Sequence, residues 1–240
     1  MTKLRALAFL ASTLTGCMIG GAGDGSSDED IIGGTADTVH ASVVQLRYRQ
    51  VDNATGNIGL FQCSGTVIGP TTILTAGHCA GGFSYQYNPA AAADPADLGG
   101  DGWTNAAYAV HAPEYDGNYL DGHDVSVVKL YSATSIAPVG LGGAPAVGST
   151  VTASGYGRQG DGSQGVRMMV DMAVNSVDDI TFDAGVDGHG TCHGDSGGPA
   201  LQSGVVVGTV SYGDTPDCRD TNHFARVDDN LDFITSYLSF

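Results

Sequence analysis

Gly194-Asp195-Ser196-Gly197-Gly198-Pro199 (GDSGGP) is the stretch on which the reading of this chain turns. A serine follows an acid, with glycines on both sides that permit a tight backbone and close approach of another molecule. A serine hydroxyl is a weak nucleophile until a neighbouring base takes its proton. A candidate base stands upstream in Thr75-Ala76-Gly77-His78-Cys79 (TAGHC). Each segment sits beside a cysteine, Cys79 in one case and Cys192 in the other.

Around these two segments the composition is that of an all-β protein. Glycine is abundant, with 37 residues in 240, charged residues make up only 15%, and no long Ala/Leu/Glu/Lys tract occurs. Short Val/Ile/Thr/Tyr runs alternate with Gly, Asn, Asp and Pro clusters, the pattern of strands and turns. The formal net charge of −17 argues against nucleic acid or an anionic membrane surface as a partner.

The first residues predict export. Lys3 and Arg5 form a basic region, and Leu4 to Leu14 make a short, mostly apolar stretch, too short to cross a bilayer, so residues 1–16 read as a signal peptide. Leu14-Thr15-Gly16-Cys17 resembles the bacterial lipobox, which implies lipidation of Cys17 and attachment to a bilayer through it; the alternative is an ordinary signal with a chance cysteine. Met18, rather than Asp, after the cysteine implies outer-membrane or cell-surface placement, with release to the exterior after processing. Residues 17–30, rich in Gly, Ser and Asp, read as a flexible tether or propeptide.

Cysteines stand at 17, 63, 79, 192 and 218. With Cys17 lipidated, four remain in an exported chain, and an even number there points to two disulfides in one of three pairings. A metal site competes for the same residues, but no Cys-x-x-Cys spacing supports one. Asp94, Asp97 and Asp101 lie in an Ala-rich stretch that reads as a solvated loop rather than a calcium loop, and no metal or cofactor is expected.

TAGHC and GDSGGP together resemble the trypsin/chymotrypsin-like serine endopeptidases, and the resemblance extends from Ile31 to Phe240. It implies two six-stranded antiparallel β-barrels with a C-terminal α-helix, residues 31–137 forming the first barrel and 138–240 the second with the helix. HAPEY (111–115) and HDVSVVKL (123–130) are similar to the segments that supply the family's aspartate, which makes Asp124 the third catalytic member with His78 and Ser196. Asp121 is its rival, but only Asp124 abuts the apolar residues Val125, Val127 and Val128. The order His, Asp, Ser is the chymotrypsin order. By the same resemblance the amides of Gly194 and Ser196 form an oxyanion hole. Ser211 supports Asp124, and the pairings are Cys63–Cys79 and Cys192–Cys218. Asn230 caps a helix that buries Leu231, Ile234, Tyr237 and Leu238 on one face.

The family likeness also gives IIGG (31–34) a role as an activated N-terminus. A freed Ile31 ammonium would pair with the carboxylate of Asp195, and Gly33 and Gly34 would let the segment swing. The residue before the expected cut is Asp30, not Lys or Arg, which disfavours a trypsin-like activating protease. Gly190 stands at the pocket floor where trypsin-like enzymes carry Asp, with Thr191, Ser211, Tyr212, Gly213 and Asn222 around it. That set implies apolar or small residues before the scissile bond. A different use of His193 and His223, with Asn222 and Thr191, would instead accept Asp or Glu. The expected partners are protein or peptide substrates and an activating protease. The contrasting expectation is a catalytically silent binding or adhesion protein on the same fold.

Overall fold

The computed structural model describes residues 31–51, 55–88, 102–157, 166–186, 188–215, 218 and 220–238, the Asp121 side chain excepted. Cys17, Asp30 and the Asp94/Asp97/Asp101 stretch lie outside the described residues. Two closed antiparallel barrels make up the fold. The first contains β2 (Val43–Val51), β3 (Ile58–Gly69), β4 (Thr72–Thr75), β5 (Phe83–Asn88), β6 (Thr104–His111) and β7 (Ser126–Leu130), closed in the order β2-β3-β4-β7-β6-β5. The second is built from β9 (Thr150–Gly155), β10 (Met168–Val177), β11 (Thr181–Ala184), β12 (Pro199–Gln202), β13 (Val205–Gly213) and β14 (Asn222–Arg226). Its ring runs β9-β10-β11-β14-β13-β12 and closes where β12 pairs with β9. Two short strands extend it, β1 (Thr35–Ala36) on β10 and β8 (Gly140–Leu141) parallel to β13.

The pleat explains the strands. Along β10, Val170, Met172 and Val174 are buried while Asp171, Ala173 and Asn175 are exposed, the period-two alternation of a sheet with one wet face. The inward set meets Phe182 and Phe224, whose rings stack at 4.9 Å, in the core of the second barrel. Ile31 joins that core, and β1 pairs with β10. In the arm grouped with the first barrel on sequence grounds, Thr35–Ala36 thus pair with the second sheet and Ile31 packs in its core. Alternation in so short an arm does not say which sheet it will join.

The helix α1 (Leu231–Ser236) follows as expected, with two corrections. Asn230 occupies the N-cap position, but its side chain donates to the Arg226 carbonyl at 2.9 Å instead of capping the helix. Leu231 is 40% exposed; the buried face is Ile234 with Phe233, Tyr237 and Leu238 against it.

Candidate active site

His78 sits in the 3₁₀ turn Gly77–Ala80 that follows β4, and the Cys63–Cys79 disulfide ties this turn to β3. Asp124 lies two residues before β7, with no exposed surface. Buried Ser126 donates its hydroxyl to the Ala76 carbonyl at 2.7 Å, which fastens the two segments to each other. The Asp124 carboxylate takes the His78 amide on Oδ1 and Nδ1 of the ring on Oδ2, both at 2.7 Å. With Nδ1 donating, the ring is held as the tautomer whose Nε2 is an acceptor. Ser211 adds a third bond, its hydroxyl donating to Asp124 Oδ2 at 2.6 Å. His78 and Ser196 both line one cavity of about 510 Å³ between the barrels.

Burial pushes the Tyr48 and Tyr115 phenols up to about 12, with Asp124 contributing in both cases. Both stay protonated at any working pH, and Tyr48 donates its hydroxyl to the His78 carbonyl. Tyr119 was not singled out by sequence. It lines the cavity, its ring 6.0 Å from His78 and 5.7 Å from Tyr212. An aromatic in the 115–120 loop was the only available signal, and aromatics are common.

The loop carrying Ser196 is held from several sides. Among the described residues, the amides of Asp195, Gly197 and Gly198 bond to the carbonyls of Cys192, Val210 and Asp195, while those of Gly194 and Ser196 make no internal bond. Two uncommitted amides separated by a single residue can donate to one anionic oxygen. Gly194 has φ +101° and Gly197 φ +77°, left-handed conformations that favour glycine. A Cβ on Gly197 would also fall 2.0 Å from Thr75 Oγ1. Asp195 is fully buried, and its carboxylate accepts the amides of Gly157 and Cys192 at 2.8 and 2.9 Å.

Thr191, Tyr212 and Gly213 line the cavity beyond Ser196, and the Cys192–Cys218 disulfide closes one side. Gly190 and Asn222, expected in the pocket, are not among its lining residues; Asn222 stands behind Thr191, to which it is bonded. The Asn222 amide oxygen accepts both the backbone N–H and the hydroxyl of Thr191, and its nitrogen donates to the Asp220 carbonyl at 2.8 Å. A Cβ on Gly190 would meet that nitrogen at 2.6 Å, so the amide fills the space the glycine leaves. His223 stacks on Tyr212 at 4.1 Å, with Nδ1 2.6 Å from Asp183 and Nε2 2.8 Å from Asp214. Where cysteine and histidine converge, at Cys63/His78/Cys79 and Cys192/His193/Cys218, the sulfurs are bonded to each other and are not metal ligands.

Comparison with known proteins agrees with this geometry. The sequence profile of the Trypsin family matches residues 31–234. Brachyurin from Leptuca pugilator is 30% identical over 198 residues, 73% of this chain and 87% of that protein. Trypsin beta from Drosophila erecta is 27% identical over 214 residues, 78% of this chain and 79% of that protein. A solved structure described as "Structure of GrC" shares the fold, with a TM-score of 0.69 at 21% identity, covering 85% of this chain and 98% of that one. With two barrels, a histidine–carboxylate pair facing a serine across their cleft, and a family profile spanning both, the chain belongs to the trypsin family of serine endopeptidases.

Proposed function

We propose that the protein hydrolyses peptide bonds with Ser196 as nucleophile, His78 as general base and acid, and Asp124 as the group that orients His78. Ser196 Oγ attacks the scissile carbonyl as His78 Nε2 takes its proton; the imidazolium then protonates the leaving amine. Water hydrolyses the acyl-enzyme by the same route. The developing oxyanion is met by the amides of Gly194 and Ser196. The observation that carries the reading is the commitment of a fully buried carboxylate to both the amide and Nδ1 of His78, leaving Nε2 for chemistry. A fluorophosphonate probe tests it: the protein cut to begin at Ile31 labels at Ser196 and cleaves peptides, and its Ser196→Ala variant does neither. A protein beginning at Ile31 that does neither is a binding protein on this fold.

The primary pocket takes small or medium apolar side chains. Gly190, at the position of the expected floor, carries no charge, and Asn222, packed against Gly190 and bonded to the lining residue Thr191, would keep the pocket shallow. Cleavage after Asp or Glu is disfavoured because His223 is already engaged by Asp183 and Asp214, and Asp214 itself lines the cavity.

Export with lipidation at Cys17, and activation by a cut between Asp30 and Ile31, complete the proposal. Two disulfides fit an oxidising compartment. Ile31 supports the cut. It is 1% exposed and has φ +38°, a left-handed conformation that is strained for a β-branched residue. Severing the bond before it removes that restraint and frees an ammonium for Asp195. Ile32 meanwhile pairs with Gly190 in both directions, which docks the arm beside the pocket. Because Cys17 is the only cysteine of the leader, the same cut releases the domain from its anchor. An intact mass and N-terminal sequence of the labelled fraction test both steps. A chain beginning at Ile31 and free in solution is expected, and a labelled chain beginning at lipidated Cys17 refutes them.

A further inference from the structure

Ser64, immediately after Cys63 on β3, has no exposed surface and makes four hydrogen bonds, two of which reach the nucleophile loop. Its amide donates to the Ser196 carbonyl at 2.8 Å, and its hydroxyl donates to the Gly194 carbonyl at 2.9 Å. The same hydroxyl accepts the Tyr156 amide at 2.8 Å, and the Ser64 carbonyl accepts the Thr75 hydroxyl at 2.7 Å. One residue of the first barrel thus grips the carbonyls of the two residues whose amides are uncommitted.

We infer that the Ser64 hydroxyl is a positioning residue that holds Gly194 so that the oxyanion hole is formed before substrate arrives. Gly194, at φ +101° and without a side chain, is held by the peptide that follows it, whose Asp195 amide donates to the Cys192 carbonyl and whose Gly194 carbonyl only Ser64 secures among the described residues. Rotation there would carry an amide out of the cleft or bring a carbonyl in, where the developing charge needs donors. A hydroxyl has one proton. The Tyr156 amide occupies a lone pair of Ser64 Oγ, which directs that proton to Gly194, and hydrogen bonds in such a chain polarise one another. Consecutive amides of the segment 156–157 therefore serve the same loop, Gly157 directly at the Asp195 carboxylate and Tyr156 through Ser64. This bracing comes from the barrel opposite the loop and does not use the Ile31 ammonium.

The inference rests on the proposed protease reading, and its test separates the two. Ser64→Ala keeps the amide and Cβ and removes only the hydroxyl. With kcat normalised to sites titrated to completion by a fluorophosphonate, so that unfolded molecules do not count, kcat falls about tenfold or more while KM changes less than about threefold. Affinity for a peptide aldehyde, which resembles the tetrahedral state, falls in parallel. The pH profile of kcat/KM keeps its shape because His78 is untouched. Should Ser64→Ala fail to fold, Ser64→Gly removes the same hydroxyl and is expected to show the same split. A purely structural role would lower the melting temperature and leave kcat per titrated site and aldehyde affinity at native values; that result overturns the inference. An otherwise unchanged protein beginning at Ile31 that neither labels nor cleaves overturns the protease reading instead.

Discussion

Both oxygens of Asp124 are committed to His78, so the charge and the acceptor count of that one side chain decide the tautomer of the base. Asp124→Asn keeps the volume and replaces an acceptor by a donor, which forces the ring to present the wrong nitrogen. Following the serine protease template from which the roles are drawn, kcat on a peptide substrate should fall about 10⁴-fold with the fold retained. A variant within tenfold of the native rate would mean that Asp124 does not set the tautomer. Specificity is also a single-residue matter, but not at the position that sequence reading favours. Gly190→Asp alone places a Cβ 2.6 Å from the Asn222 nitrogen, so it should fail to create cleavage after Lys or Arg. Asn222→Gly opens the floor, and the ratio of kcat/KM for Phe over Ala before the scissile bond should rise about tenfold or more. An unchanged ratio would show that the floor lies elsewhere.

At the scale of elements, the arm that leads from Ile31 into β2 is fastened by a buried ion pair. Asp37 is fully buried, its Oδ2 3.2 Å from Nε of Arg167, itself 3% exposed. Asp37 also accepts the Ser154 hydroxyl and the amides of Val39 and His40, and its own amide donates to the Arg167 carbonyl. Burial by itself would raise the Asp37 carboxyl, but these donors and the Arg167 charge outweigh it and hold it below the ordinary value. The folded state therefore binds this proton less tightly than the unfolded chain does. The resulting stability is fully present above the unfolded value, about pH 4, and is lost as pH falls through the lower folded value. Asp37→Asn leaves Arg167 buried without its counter-charge and should cost about 3 kcal/mol at pH 7. Urea midpoints of the two proteins should converge as the pH is lowered toward 3. A gap that stays constant with pH would assign the loss to packing rather than charge.

For the molecule as a whole, what could be read from the sequence and what could not divide along one physical line. His78, Asp124, Ser196 and Asp195 stand in motifs, and the proposed chemistry needs those residue types beside those neighbours. Ser64 and Asp37 act through partners 130 and 117 residues away, in contacts that no local pattern encodes. The same holds for the seam between the barrels. Leu74, Val125 and Val127 from the first barrel meet Leu201, Val206, Ala225 and Val227 from the second, and Ile234 of α1 is buried among them. Leu74, Val127 and Val206 alternate along their strands with Ile73, Val128 and Val207, which fill the barrel interiors, so they face outward from their own barrels, and nothing local predicts that they share one core. A shared core makes the barrels a single cooperative unit, so calorimetry should give one transition with a van't Hoff enthalpy close to the calorimetric one. Ile234→Ala gives the sharper test. Removing that side chain should cost about 3 kcal/mol and lower the melting temperature by roughly 10 °C. If the seam couples the barrels, the whole transition shifts together. If they unfold independently, the trace splits and only the part belonging to the second barrel moves, because α1 then stabilises that barrel alone.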